Sequence, residues 1–146
     1  MNIISLYKFA KKLNDKKIPF IPKMIKGFIR IVFSCVIPFT AEIGEGTKVG
    51  YQGLGIVIHS RAVIGKRCLI SQNVTIGGTS KKYEVPVIGD DVYIGAGAKI
   101  IGPIKIGNNV VIGANSVVTK NIPNNSLVVG IPAKVIKNNI DIFNYK

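Results

Sequence analysis

From Ile58 onward an aliphatic residue recurs at every sixth position: Ile58, Ile64, Ile70, Ile76, then Lys82, then Ile88, Ile94, Ile100, Ile106, Ile112 and Val118. Glycine follows the anchor at 65, 77, 89, 95, 107 and 113. Four places after an anchor stands a small or β-branched residue: Ala62, Cys68, Val74, Val92, Ala98, Ile104, Val110 or Ser116. Ile43 and Val49 begin an earlier series, three residues out of phase. A step of six cannot hold phase with a helix of period 3.6. It predicts short strands that turn and advance, each supplying one inward side chain, with three of them closing a triangular coil. Coils stacked in this way pair their backbones and pile the isoleucines into one continuous core. Glycine just after the anchor suits a corner where a Cβ would crowd the turn.

Two excursions interrupt the series. In "YQGLG" (Tyr51 to Gly55) the phase slips, and in "GGTSKKYEVP" (Gly77 to Pro86) anchors are missing although phase is kept. Loops on a rigid scaffold are where function concentrates.

Residues 1–40 differ in kind. Ile4, Tyr7, Phe9 and Leu13 allow an amphipathic helix, and Pro19 and Pro22 separate it from a second short one. Lys8, Lys11, Lys12, Lys16, Lys17, Lys23, Lys26 and Arg30 face a single acid, Asp15. This segment reads as a cap over one end of the repeat, or as a basic surface for anionic lipid or a phosphate-bearing substrate. The apolar run from Phe28 to Phe39 is broken by Arg30 and ended by Pro38, too short to span a bilayer. The expectation is a mainly β protein with three parts: a helical segment over 1–40, a repeat domain over 41–136 and a C-terminal tail over 137–146.

With 146 residues and 47% hydrophobic composition the chain is one domain with a core, not a disordered segment. The formal net charge of +13 attracts polyanions without choosing among nucleic acid, membrane and phosphorylated small molecules. Cys35 and Cys68 form neither a disulfide framework nor a metal-ligand spacing, which favours a reducing cytoplasm. With one histidine, the three-histidine zinc site of a hydratase is ruled out, and no metal is expected.

The hexad run, "VTIGGT", "IGAGAKIIGPIKIGNNVVIGANSVV" and the closing "VVGIPAKVI" closely resemble the hexapeptide-repeat acyltransferases, nearest to their serine acetyltransferase-like O-acetyltransferases. The resemblance covers Ile43 to Ile136. It implies a left-handed parallel β-helix, a homotrimer, and acetyl-coenzyme A in the groove between subunits. Carried over by position, coenzyme contacts come from Gly77, Gly78, Thr79, Ala96, Gly97, Ala98, Ala114, Lys120, Pro132, Ala133 and Lys134. Small side chains let backbone groups reach a pantetheine arm, and lysines can face its phosphates.

Acetyl transfer from a thioester to a hydroxyl needs a base, and histidine is the usual group near neutral pH. The only one is His59, directly after anchor Ile58 and so directed outward. Serine acetyltransferases carry a histidine near the place of Tyr51, and an Arg-His-Pro phrase where this chain has Glu84-Val85-Pro86. A buried carboxylate without its cation is costly, so free serine is doubtful as acceptor. Related sugar and polysaccharide O-acetyltransferases match the "GIVIH" placement and the basic start better. The expectation is therefore acetylation of a sugar hydroxyl in surface-polysaccharide synthesis, with serine O-acetylation of cysteine biosynthesis as the alternative. Tyr51, Tyr83 and Glu84 are acceptor-binding candidates; Asp90 and Asp91 read as solvated turn residues. A catalytically inactive scaffold and a polyanion binder are rival readings. The lysines are spread through the cap and the corners with no nucleic-acid module, so nucleic acid is disfavoured.

Overall fold

The computed structural model describes residues 2–145. Two helices come first, α1 (Ile3–Asp15) and α2 (Ile21–Phe33). The Asn2 side chain caps α1 by accepting from the Ile4 N–H at 3.0 Å. Short strands follow: β1 (Glu42–Ile43), β2 (Lys48–Val49), β3 (Val57–Ile58), β4 (Val63–Ile64), β5 (Leu69–Ile70), β6 (Thr75–Gly77) and β7 (Val87–Ile88). The series continues with β8 (Val92–Ile94), β9 (Lys99–Ile101), β10 (Lys105–Ile106), β11 (Val110–Ile112) and β12 (Val117–Val118). A hairpin of β13 (Ser126–Gly130) and β14 (Ala133–Asn138) closes the set.

These strands form a three-sided prism. Face one stacks β3, β6, β9 and β12; face two stacks β1, β4, β7 and β10; face three stacks β2, β5, β8, β11 and β13, with β14 at its edge. Every pair is parallel except β13 with β14. The register places anchor on anchor: Ile58 beside Ile76, Ile76 beside Ile100, Ile100 beside Val118. The inward anchors from Ile58 to Ile112 are buried, and so are the residues four places behind them, the exposed Ser80 of the excursion excepted. Each buried isoleucine contributes about 1.5–3 kcal/mol relative to an exposed one, so the stack itself is the dominant stabilising feature.

The register also explains both irregularities of the repeat. Ile58 and Ile76 are one coil apart, whereas Ile76 pairs with Ile100 across a coil that carries six additional residues. Those residues form the bulge between β6 and β7. Val49 pairs with Ile70, three residues beyond one coil, and a tight turn over Gly50–Gly53 takes up the difference. The expected coil boundary at residue 41 lies too late. Val36 already bridges to Val57, and Cys35 and Ile37 are buried in the same core, so the first rung starts just after α2.

The corner glycines work differently from the expectation that they relieve the turn. Between faces two and three, a Cβ on Gly65 would lie 2.3 Å from the carbonyl oxygen of Gly89 in the next coil. The need is for close approach between coils. The left-handed backbone at that corner falls two residues later, on Arg67, Asp91, Asn109 and Asn125. Asp91 pairs with Arg67 at 2.6 Å, and Asp90 accepts from the Lys66 N–H at 2.8 Å. The carboxylate of Asp91 raises the Arg67 guanidinium above its ordinary value. Both aspartates are thus turn residues, bonded to the neighbouring coil as well as facing solvent.

Helix α1 covers the open end of the prism through Ile3, Ile4, Tyr7 and Ala10, and the Tyr7 hydroxyl donates to the Ala41 carbonyl at 2.6 Å. After β14 the chain folds back along the outside of face three: Ile140 and Ile142 bury themselves against Val111, beside Tyr93 and Leu127.

Candidate functional site

His59 stands at the corner between faces one and two, where β3 ends. Ile58 points inward and is buried, so the next side chain turns out and is half-buried. Its backbone is clamped to the following coil, the His59 N–H donating to the Ile76 carbonyl at 2.8 Å. The imidazole is oriented by its own turn: the Arg61 N–H donates to Nδ1 at 3.1 Å. Because Nδ1 is an acceptor there, the proton of the neutral ring sits on Nε2. In this orientation the ring presents an N–H donor outward. The free lone pair of the ring is then the one on Nδ1, so a base role for His59 requires the ring to turn about its Cβ–Cγ bond, away from the Arg61 amide.

The same corner continues upward. Ile58 pairs with Ile76 and Gly77 with Ile101, which puts His59 beside Gly77 and stacks Gly102 above. A Cβ on Gly78 would sit 3.9 Å from the His59 ring and 3.1 Å from Val85. The bare glycine therefore leaves open the space over the imidazole. Thr79 reaches Gly102, its methyl 3.8 Å from where a Cβ would stand there. Lys120 is exposed two residues beyond β12, on the rung above Gly102.

The other edge of face one holds a second group. Ala96, Gly97 and Ala114 lie at the corner between faces three and one, stacked through the Asn115 N–H donating to Ala96 O at 2.8 Å. Face one, flanked by these two corners, presents Val57, Thr75, Lys99 and Val117 outward. Ala98 departs from its assigned role as a coenzyme contact. It is fully buried, its N–H donates to Gly95 O and its carbonyl accepts from Thr75 N. It belongs to the inward row four places behind the anchor Ile94. Pro132, Ala133 and Lys134 sit on the hairpin; Ala133 packs against the core while Pro132 and Lys134 are exposed. The described residues contain no cluster of three or more metal-ligating side chains.

The acceptor candidates separate. Tyr83 and Glu84 ride on the bulge at the His59 corner, whereas Tyr51 lies exposed at the opposite corner, next to Asn2, Ile3, Val49 and Gln52. One residue missed in the sequence ties the bulge down. The Arg61 guanidinium lies 4.1 Å over the Tyr83 ring and donates from Nη2 to the Tyr83 carbonyl at 2.5 Å. Arg61, Tyr83, Glu84, Val85 and Val87 line one hollow. An arginine two residues after the only histidine was the available signal.

Comparison with known proteins agrees with this architecture. Residues 86–120 match the bacterial transferase hexapeptide (six repeats) model. A serine acetyltransferase of Synechococcus elongatus is 40% identical over 132 residues, covering 89% of this chain and 54% of the relative. One from Staphylococcus aureus is 48% identical over 103 residues, covering 66% of this chain and 48% of the relative. The chain therefore spans about half the length of these relatives. Among solved structures, serine acetyltransferase of Neisseria gonorrhoeae superposes with a TM-score of 0.89 at 33% identity, over 95% of this chain and 55% of that one. The Brucella abortus serine acetyltransferase in complex with coenzyme A gives 0.88 at 33% identity, over 92% and 54%. By name these relatives are serine acetyltransferases, which matches the serine alternative rather than the sugar acceptor expected from residues 51, 84 and 85. Repeat, fold and similarity together show a hexapeptide-repeat, left-handed β-helix chain that is similar to the serine acetyltransferases over about half of their length.

Proposed function

We propose that this β-helix transfers acetyl from acetyl-coenzyme A to the hydroxyl of serine, with His59 as the base. The observation that carries the reading is the His59 corner. The only imidazole of the chain faces a space kept open by Gly78 and flanked by the hollow that contains Arg61 and Glu84. The fit to the donor is sound: Gly77, Gly78, Ala96, Gly97 and Ala114 keep side chains small along both edges of face one, and Lys120 and Lys134 offer cations for phosphates. Acetyl-coenzyme A supplies the thioester. The tasks left to the protein are to orient the hydroxyl and to hold its proton on His59 until the departing sulfur takes it.

Serine brings a carboxylate and an ammonium. The expected cation at position 84 is absent, but Arg61 reaches the same bulge from the preceding coil and has N–H groups beyond the one given to Tyr83. Glu84 lines the same hollow and suits the ammonium. A cation and an anion together favour a zwitterion over a neutral sugar. A homotrimer, with a second copy walling the groove along face one, would bring the Tyr51 corner of one subunit toward the His59 corner of the next. The test is release of coenzyme A with serine beside a panel of activated sugars. Turnover with serine supports the reading; turnover with a sugar alone overturns the acceptor.

A further inference from the structure

Helix α2 buries only part of its apolar surface. Pro22 and Ile29 are buried, and Ile25 and Phe33 pack on the core. Ile21, Met24, Phe28, Ile31 and Val32 are all exposed, Met24 by 71% and Ile31 by 82%. At 100° per residue these five fall within one arc of about 100°, beside the core-facing arc and separate from it. Phe20, at the start of the helix, adds a further exposed ring. Lys23, Lys26 and Arg30 occupy the remaining side, and Lys16 and Lys17 stand in the turn before the helix. A contiguous apolar arc of this kind on a soluble surface marks a contact.

We propose that this arc is the docking surface for an anionic lipid bilayer, on which α2 lies in the plane of the headgroups. Charge selects that occupant. Eight cations face the lone Asp15 in residues 1–40, on a chain of formal net charge +13. A second copy of the chain would bring the same positive segment against itself, whereas acidic headgroups complement it. The aliphatic stems of Lys16, Lys17, Lys23 and Lys26 let their ammonium groups reach phosphates while the apolar arc enters the acyl boundary. No described helix is long and apolar enough to cross a membrane, which leaves the surface-lying geometry for this helix.

The test is cosedimentation of the full chain with vesicles of phosphatidylcholine alone and of equal parts phosphatidylcholine and phosphatidylglycerol. The proposal expects binding to the mixed vesicles, weakened by salt, and little binding to phosphatidylcholine alone. In the double variant Met24→Asp, Ile31→Asp partitioning should fall by about a hundredfold or more, because each change removes at least the 1.4 kcal/mol that equals a factor of ten. Both side chains are exposed, so the thermal midpoint and acetyl transfer to soluble serine should be unchanged; failure of the acetyltransferase reading leaves this test intact. Equal binding by wild type and variant overturns the proposal. So does an assembly in solution that the variant dissociates while wild type ignores both kinds of vesicle, since that outcome assigns the arc to a second copy.

Discussion

The backbone N–H of Arg61 donates to Nδ1 of His59 across 3.1 Å, and the side chain of the same Arg61 holds the bulge at Tyr83. One residue thus orients the imidazole through its main chain and the bulge through its guanidinium. Arg61→Ala leaves the main-chain bond in place and removes the second function. Its expected effect is a KM for serine raised about tenfold or more, with the KM for acetyl-coenzyme A nearly unchanged, as loss of a charge-assisted contact of about 1.5–3 kcal/mol requires. Steady-state kinetics with each substrate varied in turn reads the split. An equal change in both constants would point to collapse of the corner instead.

The stacking of the coils makes a separate demand at Gly65. A Cβ there would meet the Gly89 carbonyl oxygen at 2.3 Å, and backbone cannot swing aside as a side chain can. Gly65→Ala should destabilise the fold by about 1–3 kcal/mol, lowering the thermal midpoint by several degrees. Gly27, with nothing within 4 Å of its Cβ position, is the matched control. Gly27→Ala should be neutral or slightly stabilising in a helix interior.

Alkaline pH tests the junction between cap and prism. Burial raises the Tyr7 hydroxyl from 10.0 to about 12, with Glu42 adding to the shift, and burial raises the Cys35 thiol from 9.0 to about 11. Both groups hold their protons more tightly folded than unfolded. Their stabilising contribution is therefore complete below pH 9 and is lost as pH rises through 9 to 12. Chemical denaturation at stepped pH should show that decline, and Cys35→Ala combined with Tyr7→Phe should flatten it.

Much of this architecture is readable in the sequence because a six-residue step has few physical solutions. Ile58, Ile64 and Ile70 cannot share one face of a helix, and their burial in three different sheets follows from the spacing. The three-residue slip at Tyr51 is equally visible, as the turn over Gly50–Gly53. Other features depend on which coil lies above which. Gly65 is required by Gly89, twenty-four residues on. Arg61 looks like any solvated turn residue until the bulge is folded over it. Ile140 and Ile142 have no repeat to betray them; they are buried only because the chain doubles back onto Val111.

Coenzyme A release from acetyl-coenzyme A and serine, compared between wild type and His59→Ala, is the most direct measurement. The account predicts turnover in the wild type and a fall of about 10²–10⁴-fold in the variant, with coenzyme A binding retained in both. Turnover by His59→Ala at the wild-type rate would contradict it.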